Sequence, residues 1–367
     1  MRNWLEPIIG GIVIAITLLD VFLTVLYARA GTGLLAPRLA RGVWRLFHGL
    51  SGGKHAGILS YCGPTQLVAV VLMWGVLLAF GSGLVIHPGL GVGVESSSGV
   101  TDTDLVTAVF VGGSSMSIVG ASDYGPTSAG YKLLFLFDSL VGMSVTSLTL
   151  TYVMQVYTAL RTRNSLGLML QAQSGNTGDA AELLARWGPQ GRFDGGYNNL
   201  STLAGEMAAI KETHHFYPVL FYFRFKEAYY APSRFLLIAL DAAALVRTAL
   251  DERELGWLQQ SAALTELDAV STLLLRTLNQ NFPVRHSPPD SAQFHERSQV
   301  RYGQALQRLR EAGIPTRVDA EGGAHEYVEL RAIWEPALEA LAPALGYRME
   351  EVDTAGHGRR SPAENRG

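Results

Sequence analysis

Residues Thr101 to Ser128 read TDTDLVTAVFVGGSSMSIVGASDYGPTS. The first part, Thr101 to Ser117, has the marks of a short helix. Thr101 or Thr103 stands at the N-cap, and Asp102 and Asp104 put negative charge in the first turn. At a rise of about 1.5 Å per residue this helix is too short to cross a hydrocarbon core about 30 Å thick. On either side of it lie runs that are long enough. Gln66 to Ile86 (QLVAVVLMWGVLLAFGSGLVI) has no ionisable residue, and Leu133 to Tyr157 has Asp138 as its one charged side chain. Further upstream, Pro7 to Tyr27 (PIIGGIVIAITLLDVFLTVLY) holds only Asp20 before its terminal tyrosine. A signal peptide would be shorter in its apolar part, basic before that part rather than after it, and followed by a small-residue cleavage site, so a span is the better fit.

The connections orient these runs. Between the first two lie Arg29, Arg38, Arg41, Arg45 and Lys54 with no acidic residue; between the second and third lie Glu95, Asp102, Asp104 and Asp123 with no Lys or Arg before Lys132. Basic connections stay in the cytoplasm, which predicts an external N-terminus and a cytoplasmic chain after Arg161 and Arg163. If Thr101 to Ser117 also crossed, the third run would end on the wrong side of its own basic exit. A re-entrant helix that dips in and returns fits the charges, and its C-terminal end, carrying the negative pole of the helix dipole, favours a cation beyond it. Within the basic connection, Leu39, Val43, Leu46, Phe47 and Leu50 recur at helical spacing opposite Arg38, Arg41 and Arg45, the pattern of a helix lying on membrane lipid at the inner leaflet.

After the short helix come Ile118-Val119-Gly120-Ala121-Ser122-Asp123 and then Tyr124-Gly125-Pro126-Thr127-Ser128, leading into the third run. This order resembles the pore unit of the potassium channel superfamily: outer helix, pore helix, a filter of Thr-Val-Gly-Tyr-Gly-Asp type, a Pro-Thr-Ser stretch and inner helix. With the family's aspartate on Asp123, Val119 and Gly120 match its valine and first glycine, and Pro126, Thr127 and Ser128 follow without a gap. Ile118, Ala121 and Ser122 depart from it, standing where the family has threonine, tyrosine and the second glycine. The stretch Asp20 to Leu26 before a basic segment, Cys62-Gly63-Pro64, and Tyr217-Pro218-Val219-Leu220 are similar to a group of bacterial three-span channel-like proteins with a helical C-terminal domain. The resemblance implies a homotetramer, K⁺ or another monovalent cation as the permeating partner, and a filter formed by residues 118 to 123. Backbone carbonyls would supply its ligands. Ser122 would resist the left-handed conformation that glycine permits, at about 1 kcal/mol, loosening the outer filter. Asp123 either concentrates cations at the outer mouth or caps the loop as a turn residue.

On the third run, Ser144, Ser147, Thr151, Gln155 and Thr158 recur at spacings of three and four and so share one helix face. Such a stripe lines a wetted cavity or packs helix on helix. Gly142 is either a bending point for gating or a place of close approach. Asp20 and Asp138 sit within apolar runs, where a carboxylate must be paired, hydrated or protonated; for Asp138, Tyr124 and Ser128 are candidate partners.

With Lys and Arg totalling 29 against 32 Asp and Glu, a formal charge of -3 gives no basic field for nucleic acid, and one cysteine excludes an intrachain disulfide or a CxxC site. Beyond Arg163 the pattern predicts helices at Ala180 to Arg186, Asn199 to Lys211, Val219 to Tyr229, Arg234 to Leu250, Leu255 to Asn279, Ala292 to Glu311 and Glu329 to Leu345. No Walker, kinase or GxSxG motif is present, the Gly89-x-Gly91-x-Gly93 run opens no phosphate-binding helix, and no cofactor is implied. His214 and His215 diverge on a helix, and His286 and His295, with Asp290 and Glu296, are too irregular to define a metal site. The reading is therefore an all-α membrane protein with four parts. Residues 1–65 hold a transmembrane helix and the interfacial helix, 66–163 a pore domain of two further spans with a re-entrant pore helix and filter, 164–346 a helical cytoplasmic domain, and 347–367 a disordered tail. The expected activity is cation conduction across a bacterial cytoplasmic membrane; the alternative is a channel-derived scaffold or sensor that conducts little. An enzyme is not expected.

Overall fold

Three helical stretches are long and apolar enough to cross a membrane: Leu5–Leu26, Ile58–Gly89 and Ala129–Gln173. Ile8, Ile12 and Leu19 on the first, Val68, Leu72 and Val76 on the second, and Leu136, Leu140 and Met154 on the third are exposed aliphatic side chains. Water would penalise such stripes and a hydrocarbon solvent requires them, so the chain is a helical membrane protein. The computed structural model describes residues 4–27, 33–51, 57–117, 120, 123–281 and 291–354, and these form two units.

The first unit takes in residues 1–50, 62–157 and 216–219. Its helices are α1 (Leu5–Val21), which runs on as a π-helical turn over Phe22–Leu26, α2 (Ala36–Ser51), α3 (Cys62–Ile86), α4 (Leu105–Met116) and the part of α5 (Ala129–Gln173) up to residue 157, the rest of α5 being counted with the second unit. Glycines let backbones meet. A Cβ on Gly10 of α1 would lie 2.5 Å from the Gly81 carbonyl of α3, one on Gly83 would lie 2.7 Å from Val109 Cα of α4, and one on Gly112 would lie 2.5 Å from Gly83 N. These small-residue crossings replace the hydrophobic driving force that lipid removes. The basic helix α2 is tied to α3 by Gln66, whose Nε2 donates to Ala40 O at 3.0 Å. Tyr217 returns to this unit with its ring 6.0 Å from that of Tyr152.

Two short strands, β1 (Val94–Ser96) and β2 (Tyr124–Pro126), pair antiparallel with Val94 opposite Pro126 and Ser96 opposite Tyr124. Ser97 extends the pairing by donating its N–H and its hydroxyl to Asp123 O at 2.6 and 2.9 Å. The chain before α4 and the chain after residue 123 therefore lie side by side.

The second unit, residues 51–61, 158–215 and 220–367, is built around α8 (Pro232–Ala249). Proline at the first helical position starts it, and nearly every residue after it is buried, as expected of a helix apolar all round. Around it pack α6 (Ala180–Trp187), α10 (Ala262–Asn281), α11 (Ser291–Glu311) and α12 (Ala320–Ala344), with α7 (Gly196–Phe216) and α9 (Glu252–Gln259) completing the unit.

Three expectations are corrected here. Val219 to Tyr229 is not one helix but two 3₁₀ turns, Pro218–Tyr222 and Ala228–Tyr230. The fully buried Arg163 donates from Nη1 to Leu220 O (2.9 Å) and from Nη2 to Phe223 O (3.0 Å), claiming carbonyls that a helix would use itself. Leu255 to Asn279 breaks between α9 and α10, where Ser261 Oγ accepts from Leu264 N at 3.2 Å and caps the second helix. The tail expected to be disordered from residue 347 is ordered to Thr354. Tyr347, Val352 and Asp353 are buried, and α13 (Met349–Val352) is held by Arg234 Nη1, which donates to Glu351 O at 2.8 Å. Residues 355–367 lie outside the described residues.

Candidate functional site

The short helix α4 begins at Asp104, whose Oδ1 accepts from Val106 N (2.8 Å) and Thr107 N (3.0 Å) while Oδ2 accepts from the Thr107 hydroxyl (2.7 Å). The bonds from Thr107 and Val106 hold this exposed carboxyl below its usual range. Asp104 is thus the cap, in place of Thr101 or Thr103. Thr101 instead accepts from Ser96 N at 2.9 Å, and Thr103 O accepts from His87 Nε2 at 3.2 Å. His87 Nδ1 lies 2.7 Å from Glu6 Oε2, joining the start of α1 to the loop before α4.

Of the expected filter, Gly120 and Asp123 are described; Ile118, Val119, Ala121 and Ser122 lie outside the described residues. Gly120 has φ +58°, a conformation that favours glycine, and its N–H donates to Ser117 O at 3.2 Å. Asp123 gives its carbonyl to Ser97 and keeps its side chain exposed.

The two acids within the spans have opposite surroundings. Asp20, fully buried, meets N–H donors alone among the described residues: Trp74 Nε1 at 2.8 Å on Oδ2, and Leu35 N at 2.7 Å on Oδ1 with Ala36 N 3.3 Å from Oδ2. It caps the start of α2 from across the chain, at the positive pole of that helix. Asp138, also fully buried, meets hydroxyls alone among the described residues. Its Oδ2 lies 2.5 Å from Ser82 Oγ of α3 and 2.9 Å from Ser115 Oγ of α4, and its Oδ1 has no partner among them. Its partners are therefore Ser82 and Ser115 rather than Tyr124 or Ser128. One turn later, Gly142 abuts the end of α4, where a Cβ would lie 2.6 Å from the Met116 carbonyl carbon. Close approach is what this glycine provides.

Ser144, Ser147, Thr151, Gln155 and Thr158 are all exposed within the single chain, whereas Gly142, Tyr152 and Val156 are buried. Thr151 returns its hydroxyl to Ser147 O at 3.0 Å, which satisfies it without removing it from that face.

In the second unit, His214 is fully buried and donates Nδ1–H to Ile210 O at 2.8 Å. Burial and the nearby Arg163 charge push its pKa down to about 3. Sequence reasoning missed a buried ionic cluster. Asp241 of α8 receives Arg301 Nε at 3.0 Å, Arg331 Nη1 at 2.6 Å and the Tyr327 hydroxyl at 2.5 Å. Arg301 continues to Asp353 at 2.6 Å and Arg331 to Glu335 at 2.6 Å. Burial opposes ionisation of Asp241, but the two guanidinium groups outweigh it and hold its carboxyl below the usual range. The one signal in the sequence was an aspartate in the middle of the apolar stretch Phe235 to Val246. Among the described residues no group of His, Cys, Asp and Glu is arranged to hold a metal, and His286 and Asp290 lie outside them.

No protein-family model matches the chain, and no solved structure does. An uncharacterized membrane protein of Bacillus subtilis (strain 168), YdjJ, is 22% identical over 221 residues, covering 59% of this chain and 62% of that protein. The match thus spans less than two thirds of the relative's length.

Proposed function

We propose that the protein is a homotetrameric cation channel of the cytoplasmic membrane, with α4 as a re-entrant pore helix and residues 118 to 123 as its filter. The observation that carries the reading is the bracket around α4. A 12-residue apolar helix sits between two helices long enough to span, and the chain before and after it is joined by the β1–β2 pairing, as a segment entering and returning at one end of the bundle would need. Gly120 supports it with a positive φ at the position where the potassium channel pattern has its first filter glycine. Four copies would bring four such loops around an axis, with the stripe of Ser144, Ser147, Thr151, Gln155 and Thr158 turned towards it. The basic residues between Arg29 and Lys54 support an external N-terminus and a cytoplasmic second unit, a topology that reporter fusions at Gly367 and between Gly89 and Val100 test.

The deciding experiment is cation flux into liposomes holding the purified protein. Flux of K⁺ or Na⁺ above that of empty liposomes supports the channel. Its absence across varied pH, voltage and Ca²⁺ favours the scaffold or sensor, a reading motivated by Ala121 and Ser122. In a conducting protein these two residues predict weak discrimination between K⁺ and Na⁺, measured as a reversal potential well short of the K⁺ equilibrium value.

A further inference from the structure

Three hydrogen-bond contacts meet behind the end of α4: Ser82 Oγ to Asp138 Oδ2 at 2.5 Å, Ser115 Oγ to Asp138 Oδ2 at 2.9 Å, and Ser115 Oγ to Gly112 O at 2.8 Å. Each is a full hydrogen bond only with one proton between its two oxygens. The serines supply two protons and the Gly112 carbonyl supplies none. A proton on the carboxyl supplies the third; without it Ser115 has to divide its single proton between Gly112 O and Asp138 Oδ2.

We infer that Asp138 is held as a neutral carboxylic acid and acts as a positioning residue for α4. In the arrangement that uses every proton once, Ser82 donates to Asp138 Oδ2, Asp138 Oδ2–H donates to Ser115 Oγ, and Ser115 donates to Gly112 O. The surroundings require the same state. Asp138 makes no ion pair among the described residues, and no Asp, Glu, Lys, Arg or His other than itself lies between Lys132 and Arg161 on α5. The faces packed against it are equally bare. Neither α3 nor α4 contains an Asp, Glu, Lys, Arg or His, and on α1, packed against α3, Glu6 is engaged with His87 and Asp20 with Trp74 and the start of α2. Ser115 is the next-to-last residue of α4, so an ionised carboxylate here would face the negative pole of the helix with Oδ1 unpartnered at membrane depth. A neutral acid leaves only a carbonyl oxygen unpaired, a far smaller penalty. Asp20, surrounded by N–H donors at a positive helix end, is the counterexample within the same unit.

The role is mechanical and independent of whether the protein conducts. The acid joins α3, α4 and α5 through one oxygen atom, fixing how far α4 reaches and how it is turned. Infrared difference spectroscopy of the full-length protein at neutral pH, wild type minus Asp138→Asn, tests it. The expected result is a carbonyl band of a protonated acid present in the wild type, lost in D138N, shifted by deuteration, and shifted again in Ser115→Ala. Thermal unfolding supplies the second measurement. Asparagine can place its NH2 at the Oδ2 position, where the two N–H groups donate to Ser82 and Ser115 while Ser115 still donates to Gly112 O, so D138N should keep most of the wild-type stability, whereas Asp138→Leu should lose it. A wild type without the protonated-acid band, or a D138N as unstable as D138L, overturns the assignment.

Discussion

Replacing Gly142 by alanine separates two roles for this residue by the sign of the effect. If it served as a flexible point in an otherwise ordinary helix, alanine would stabilise α5 by about 0.5–1 kcal/mol through the lower conformational entropy of the unfolded chain. The structure predicts the reverse. The new Cβ would fall against the Met116 carbonyl oxygen and lie 2.6 Å from the carbon behind it, against a favourable separation of about 3.5 Å, so the helices must part by more than about 1 Å. Backbone cannot swing aside as a side chain would. Overpacking of this kind costs about 1–3 kcal/mol, and the same displacement would stretch the 2.9 Å bond between Ser115 and Asp138 past hydrogen-bonding range, for about 1 kcal/mol more. After the propensity gain is subtracted, a net loss of about 1–3 kcal/mol remains. Gly75 is the matched control: it lies within α3, is exposed, and its Cβ would meet nothing within 4 Å. Thermal or denaturant unfolding of the detergent-solubilised protein should place Gly75→Ala at or above the wild type and Gly142→Ala clearly below it. A Gly142→Ala protein as stable as the wild type would refute the packing argument.

Asp241→Asn should destabilise the second unit by about 1.5–3 kcal/mol, because Arg301 and Arg331 lose their shared carboxylate while keeping Asp353 and Glu335; hydrogen exchange of α8 in the full chain reads the loss. His214 has a folded-state pKa depressed to about 3, so the stability tied to its neutral form is complete above the ordinary histidine value and falls as the pH drops from there towards 3. The slope approaches about 1.4 kcal/mol per pH unit, and His214→Phe should abolish that part of the pH dependence of unfolding. In a Cys62→Ser background, cysteines at Ser147, Thr151 and Gln155 should react with water-soluble thiol reagents added from the cytoplasmic side, while cysteines at the half-buried Leu148 and Val153 should not. Equal protection of both sets would favour helix packing over a wetted cavity.

Much of the membrane unit was legible because hydrocarbon imposes a simple rule on composition. The runs Gln66 to Ile86 and Leu133 to Tyr157 each fall inside an observed helix and Pro7 to Tyr27 overruns α1 and its π-helical extension by one residue, with errors elsewhere at the ends where apolar character fades before helicity does; α5 continues to Gln173 through a stretch already polar. The brevity of α4 was legible as well. What composition cannot carry is pairing at a distance. Asp20 and Trp74 are 54 residues apart and Asp138 and Ser82 are 56 apart, and nothing local marks either as a partner. The same holds for Asp241 with Arg301 and Arg331, which belong to three different helices. Val219 to Tyr229 misled for a related reason: its apolar content suits a helix, but a guanidinium from Arg163 had already claimed its carbonyls.

The clamp at Asp138 also has a consequence for the order in which the chain is assembled. Ser115 waits for a partner that emerges 23 residues later, an interval of about one to five seconds at the usual pace of synthesis. During that time α4 has α3 to lean on, through the close approach of Gly112 to Gly83, but lacks the bond that sets its far end. The short helix is thus a late-setting piece. Its depth is decided by the span that follows it, and errors in α5 should surface first as a misplaced α4.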